Sequence, residues 1–220
     1  MMDPMQSETP VAPASATSVP PGLSEDRIAG EPMTQFARWM ADALASGLPE
    51  PTAMVLSTMT AEGRPRARTV LLKDHDQAGF TFYSNRTSRK GRELAANPSA
   101  CLVFPWYGLE RQVIVEGRVR ELSQAESEPY FRSRPRGSQI GAWASRQSTV
   151  IASRAVLDDR VAELEGRWPE PGQVPMPDFW GGYLLEPDAV EFWQAGPFRL
   201  HDRLRYRRVD AGWAVDRLSP

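Results

Sequence analysis

The sequence predicts a mostly β protein of the α+β class, with short antiparallel strands curling into one small barrel and a few helices inserted. Three observations carry that reading. Short runs rich in β-branched and aromatic residues recur between turn residues along most of the chain. Apolar residues at helical spacing are confined to a few separate segments. A chain of 220 residues supports one good-sized core but not two large domains, and no internal repeat divides it.

In order, residues 1–30 are rich in Pro, Ser, Thr and Ala and offer little to bury, which predicts a mobile or disordered arm. The single domain then occupies 31–220 and opens near Met33. Phe36, Trp39, Met40 and Leu44 repeat at helical spacing, and Gly47 supplies a stop. The runs AMVLSTM, RARTVLLK and FTFYS read as strands separated by the turns AEGRP and DHDQAG. A helix SRKGRELAAN closes at Asn97-Pro98, and ACLVFPW and RQVIVEGRVREL return to strand. Ser123 and Glu126 have capping-box spacing for a further helix, which Pro129 should kink or restart. Residues 132–148 read as loop-rich, 153–167 as an amphipathic helix and 169–178 as an extended loop. The strands GYLLEP, AVEFWQ, RLRYRR and WAVDRL complete the chain.

Composition limits the chemistry. A net charge of −2 argues against binding nucleic acid through bulk electrostatics. The lone Cys101 leaves no disulfide partner, and with only His75 and His201 beside it no metal site is expected. No secretory signal pattern opens the sequence and no apolar run approaches bilayer length, so a cytoplasmic protein without a membrane partner is expected. Phosphate-loop, dinucleotide-binding, zinc-protease and nucleophile-elbow motifs are missing.

What remains is basic and aromatic. Arg86, Arg89, Lys90 and Arg92 crowd the start of a helix, where the helix dipole disfavours cations, so an anion such as phosphate is expected beside Thr87 and Ser88. A solvated basic patch explains the same run equally well at this point. Of 26 basic residues only Lys73 and Lys90 are lysines, and both flank this region of the sequence. A compact cation retained in an arginine-rich chain suits a phosphate site. The segment RSRPRGSQIGAWASRQS gathers arginines, hydroxyls and amides, while Trp106, Tyr107 and Gln112 offer flat and amide groups for a heteroaromatic ligand. In FWQAGPFRLHDR, strand alternation would set Arg199, His201 and Arg203 on one face.

Taken together, RTVLLK, FYSNRTSRKG, FPWYGLERQVIVEG, RPRGSQIGAWASRQS and EFWQAGPFRLHDRLRY, with the closing DRLSP, resemble the pyridoxine/pyridoxamine 5′-phosphate oxidases from about residue 33 to the C-terminus. The resemblance implies a split β-barrel homodimer of the FMN-binding, flavin-reductase-like type. It implies FMN contacts from Arg68, Thr69, Val70, Leu71, Leu72, Lys73, Tyr83, Ser84, Arg89, Lys90, Gln112, Gln147, Ser148, Trp193 and Arg203. Lys73, Tyr130, Arg134 and Ser138 would hold the phosphate of a pyridoxine- or pyridoxamine-type substrate, and Arg199 and His201 would face its ring as the catalytic pair. Hydride would pass from substrate to flavin, with O₂ as the final acceptor. Three positions depart from the family pattern: SVPP stands where an Arg-x-x-Tyr pair precedes Gly22-Leu23, Ala195 replaces a glycine, and Pro129 precedes Tyr130. Other readings are a related oxidase of another reduced ring, such as a phenazine precursor, a flavin or pyridoxal phosphate binding protein without turnover, and nucleic-acid binding through RLRYRR.

Overall fold

The computed structural model describes residues 22–220, in which nine strands form one antiparallel sheet accompanied by five α-helices. Among them no helix is long and apolar enough to cross a membrane. The expected disorder of residues 1–21 lies outside the described residues. Residues 22–30, expected to belong to the mobile arm, are docked on the body instead. Leu23 and Ala29 are buried, the Tyr206 hydroxyl donates to the Ala29 carbonyl at 2.5 Å, and Arg217 holds both oxygens of Glu25 at 2.8 Å.

Helix α1 (Pro32–Ala45) buries Met33, Phe36, Trp39, Met40 and Ala43. Leu44, expected on that stripe, is 60% exposed, because Ala43 completes the buried face and Leu44 turns beyond it. Strands β1 (Ala53–Met59) and β2 (Pro65–Leu71) form a hairpin in which Ala53 faces Leu71 and Met59 faces Pro65. The short β3 (Asp74–Asp76) turns directly into β4 (Gly79–Asn85), so DHDQAG is partly strand rather than all turn. After α2 (Arg89–Ala96) come β5 (Ser99–Trp106) and β6 (Arg111–Glu121), which pair along eight residues.

The capping box forms as expected: Ser123 and Glu126 satisfy each other's backbone amides at the start of α3 (Gln124–Ser133). This helix runs on through Pro129 without restarting. Residues 136–144, read as loop, form α4 (Arg136–Ala144), and α5 (Ala155–Arg167) follows. The two strands expected in 182–194 are one, β7 (Trp180–Gln194), which continues to β8 (Asp202–Val209) and β9 (Gly212–Arg217). Pro187 interrupts the sequence pattern but not the strand. It sits opposite Gly117, where the β6–β7 register shifts and a side chain on Gly117 would strike the Glu186 carbonyl.

The sheet order is β2-β1-β5-β6-β7-β4-β3, with β8 on the other half of β7 and β9 outside it. One core lies inside the curl and centres on Phe36, whose ring is 4.7 Å from Phe80 and 4.9 Å from Phe104. A smaller core of Phe131, Ile140, Ala144, Leu164, Val174 and Trp180 joins α3, α4 and α5 to the start of β7. A cavity opens beside the seam where the Tyr83 side chain on β4 meets that second core.

Candidate functional site

A cavity of about 640 Å³ is walled by the end of β2, by β4, by the start of α2 and by the α3–α4 segment. It brings together most residues expected from the sequence: Arg68, Thr69, Val70, Leu71 and Lys73 on one side, Tyr83, Ser84 and Lys90 at the base. Tyr130, Arg134, Ser138 and Gln147 close it from the helical side. Its volume lies within the range of small-molecule sites.

Each cation is held differently. Lys90 is drawn inward from α2, donating to Ser84 Oγ at 2.8 Å and Gln147 Oε1 at 2.6 Å. Burial, reinforced by the nearby Arg68 charge, pulls its pKa from 10.5 down to about 8. Arg68 crosses from β2 to donate to the Leu56 carbonyl, Thr58 Oγ1 and Glu93 Oε2. Arg134 rests over the Trp180 ring at 4.8 Å, and its Nη1 is buried without a hydrogen-bond partner. A buried guanidinium nitrogen with nothing to donate to is costly, and an anion in the cavity would satisfy it. Tyr83 and Tyr130 stack at 4.1 Å, with Trp180 behind Tyr83 at 5.3 Å, forming a rigid aromatic wall.

Several expectations need correction. Thr87 and Ser88 do not line this cavity: Ser88 is fully buried as the cap of α2, accepting from Gly91, and the Thr87 hydroxyl donates to Asn85. At the α2 start Gly91 packs against the loop before it, where a Cβ would lie 2.1 Å from the Arg86 carbonyl. Lys90, rather than the helix terminus, therefore carries the positive charge into the cavity. Arg89 points to solvent, Leu72 is 4% exposed in the core, and Ser148 is exposed beside Gln147 at φ 73°. Trp106 is likewise core, its Nε1 donating to the Pro51 carbonyl, whereas Tyr107 is 82% exposed on a turn.

Gln112, Trp193, Arg199, His201 and Arg203 lie elsewhere. Trp180 at the cavity and Trp193 are at opposite ends of β7, about 40 Å apart along an extended strand. Gln112 faces Trp193, Trp193 faces Arg203, and the His201 ring lies 4.6 Å from Trp193. The expected row on one strand face does not form, because β8 begins only at Asp202. Arg199 occupies a turn in which it and Phe198 both have positive φ, 63° and 56°. His201 Nδ1 accepts from the Gly196 N–H at 3.2 Å, which puts the proton of the neutral ring on Nε2. Arg203 forms two bonds to Glu191, at 2.8 and 3.0 Å.

Asn85, Pro135, Gly141, Ala142, Ser145 and Trp180 also line the cavity and were not expected. Of these, Asn85 had a signal: it directly precedes the basic helix start and bonds Ser145 across the cavity rim at 3.4 Å. For a flavin nucleotide the donor set fits: cations for a phosphate, Gln147 and Ser84 as polar partners, and an aromatic wall beside an unpaired Arg134.

The family model for pyridoxamine 5′-phosphate oxidase matches residues 40–167, and that for the pyridoxine 5′-phosphate oxidase C-terminal dimerisation region matches 180–220. A protein of Frankia alni named pyridoxine/pyridoxamine 5′-phosphate oxidase is 59% identical, the match covering 90% of this chain and 84% of that one. One of the same name from Salinispora arenicola is 56% identical over 90% of each chain. Among solved structures, PhzG from Burkholderia lata 383, in complex with tetrahydrophenazine-1-carboxylic acid, has a TM-score of 0.86 and 34% identity, covering 93% of this chain and all of that one. A pyridoxamine 5′-phosphate oxidase-related, FMN binding protein from Nostoc punctiforme, 16% identical with a TM-score of 0.68, covers 84% of this chain and 97% of that one and shares the fold. With both halves of the chain matched and relatives above half identity across nine-tenths of it, the chain belongs to the pyridoxamine 5′-phosphate oxidase family.

Proposed function

We propose that the chain is an FMN-dependent oxidase that converts pyridoxine 5′-phosphate or pyridoxamine 5′-phosphate to pyridoxal 5′-phosphate. The observation that carries this reading is the unpaired Arg134 Nη1 in a cavity that also presents Lys73, Tyr130 and Ser138, a set with no task unless the substrate bears a phosphate. Relatives named pyridoxine/pyridoxamine 5′-phosphate oxidase, at 56–59% identity, support it.

In this reading Arg68, Thr69, Val70, Leu71 and Lys73, with Tyr83, Ser84, Lys90 and Gln147, hold FMN from one chain. Bound there, FMN would accept a hydride from the substrate's C4′ and pass the electrons to O₂, releasing hydrogen peroxide. The Tyr83–Tyr130–Trp180 stack keeps that side of the cavity rigid, so that substrate and cofactor are oriented rather than loosely held. Gln112, Trp193 and Arg203 act from a second copy of the chain, as do Arg199 and His201, which face the substrate ring. His201 orients the ring and takes part in removing the proton that the substrate's hydroxyl or amine gives up as the aldehyde or imine forms, and Arg199 supplies charge beside it. With the amine substrate, water then releases ammonia from the imine.

A homodimer is part of this reading. It is supported by the dimerisation region over 180–220 and by exposed Phe198 and Leu200 beside the catalytic pair, 94% and 69% accessible. A cytoplasmic location fits the single, half-buried Cys101. Likeness to PhzG supports a second reading, oxidation of another reduced ring, but such a substrate would leave Lys73, Arg134 and Ser138 idle. The deciding experiment is peroxide production by the yellow holoprotein with pyridoxine 5′-phosphate, pyridoxamine 5′-phosphate and unphosphorylated pyridoxamine. Turnover confined to the phosphorylated pair supports the proposal; equal turnover of all three, or none, defeats it.

A further inference from the structure

Behind the wall that Arg68 and Lys90 form lies Glu93, a carboxylate only 6% exposed. Burying a carboxylate is expensive unless it is paired, and Glu93 is paired on one oxygen only. Its Oε2 accepts from Arg68 Nη2 at 2.8 Å and from the Thr58 hydroxyl at 2.5 Å, while Oε1 has no partner. The Thr58 hydroxyl in turn accepts from Arg68 Nη1, which also donates to the Leu56 carbonyl at 3.2 Å. Arg68 needs such a clamp. It projects from β2, the edge of the sheet, where its neighbours Ala67 and Thr69 are both exposed, and its side chain crosses β1 to reach α2.

We propose that Glu93 is a positioning residue for the cofactor's phosphate, fixing the Arg68 guanidinium at the cavity wall and standing one helical turn from Lys90 as the counter-charge of the pair. This rests on the FMN reading above. Glu93 itself does not line the cavity, and no carboxylate does among the described residues. The charged and titratable groups around Lys90 are Arg68 and Lys73 on the β2 side, Tyr83 from β4, Tyr130 from α3, Arg134 just after it, and Glu93 on its own helix. Burial and Arg68 make the ammonium easier to deprotonate, and Glu93 opposes them. Without that carboxylate, two neighbouring cations would repel across the cavity, and Lys90 would shed its proton at lower pH.

The consequence concerns phosphate binding. An FMN phosphate is mostly dianionic above about pH 6. Its affinity should hold until Lys90 begins to lose its proton near pH 8, then fall, because binding must restore that proton. Glu93→Gln keeps the side-chain shape and an acceptor for Arg68 but removes the charge. Titrating FMN and riboflavin into the full-length apoprotein from pH 6 to 9, by quenching of flavin fluorescence, separates the effects. For Glu93→Gln we expect FMN bound roughly three- to tenfold more weakly near pH 8, riboflavin binding unchanged, and the fall in FMN affinity beginning at lower pH than in the wild type. Thr58→Val, which loosens Arg68 from its other side while keeping the carboxylate, should weaken FMN without moving that pH. Wild-type FMN affinity and pH dependence in Glu93→Gln would overturn the proposal, as would equal weakening of FMN and riboflavin. Wild-type protein that binds riboflavin as tightly as FMN would overturn the phosphate placement on which it rests.

Discussion

The two ends of β7 carry two kinds of site. Around Trp180, the cavity is assembled within one chain: cations are clamped by Glu93, Ser84, Gln147 and Trp180, and aromatic rings are stacked. Around Trp193, His201 is tied to a single backbone N–H and Arg199 stands exposed in a turn with left-handed backbone angles. Left-handed φ costs of order 1–2 kcal/mol per residue outside glycine, so the turn at Phe198–Arg199 is retained at some expense in stability. The contrast separates two tasks. In the proposed reading, phosphate recognition needs fixed charge and is complete in one chain, whereas the ring-facing residues are complete only when a second copy of the chain covers them.

Variants test that division. The largest effect is expected at the exposed end: Arg199→Ala or His201→Ala should lower kcat/KM by about 10²-fold or more, with FMN retained, as measured by steady-state peroxide formation and flavin absorbance. Wild-type rates in both variants would remove the ring-facing assignment. Next, Lys90→Ala should weaken FMN roughly 10- to 100-fold, the range for losing a hydrogen bond to a charged group, with little change in the fold by circular dichroism. Arg134→Lys should raise KM for pyridoxamine 5′-phosphate about tenfold and leave kcat nearly unchanged, because lysine cannot reproduce the planar donor fork over Trp180.

The smallest expected effect is on stability. Lys90 has a folded pKa of about 8, below its ordinary 10.5, so between those values the unfolded chain binds more protons than the folded one. Stability of the apoprotein should therefore rise with pH across that window, by urea denaturation, and Lys90→Gln should flatten the rise. An identical slope in the variant would mean that Lys90 is not desolvated.

How much of this was legible beforehand depends on the range of the interactions involved. Strand β1 and the Ser123–Glu126 box were readable because alternation and capping are local. Helix α4 was not: its buried positions, Ile140 and Ala144, are too few to mark a stripe amid arginines and glycines. Pro187 suggested a break in β7 because its tolerance depends on Gly117, seventy positions earlier. The motif residues on β2 and α2 could be read in order, but Trp180 and Ser145 join the cavity only through tertiary packing. Glu93 gave no signal, since its partners Thr58 and Arg68 come from other strands.

The central claim, that one catalytic site is shared between two copies of the chain, is tested most directly by mixing two impaired variants, assayed at an FMN concentration that loads the wild type but leaves Lys90→Ala largely empty. Lys90→Ala and Arg199→Ala chains, unfolded together and refolded, should form mixed dimers in which one of the two sites draws both residues from unmutated positions. For random pairing in a twofold dimer, activity should recover to about a quarter of the wild-type level. Recovery no greater than the sum of the separate variants would contradict a shared site and return both clusters to a single chain.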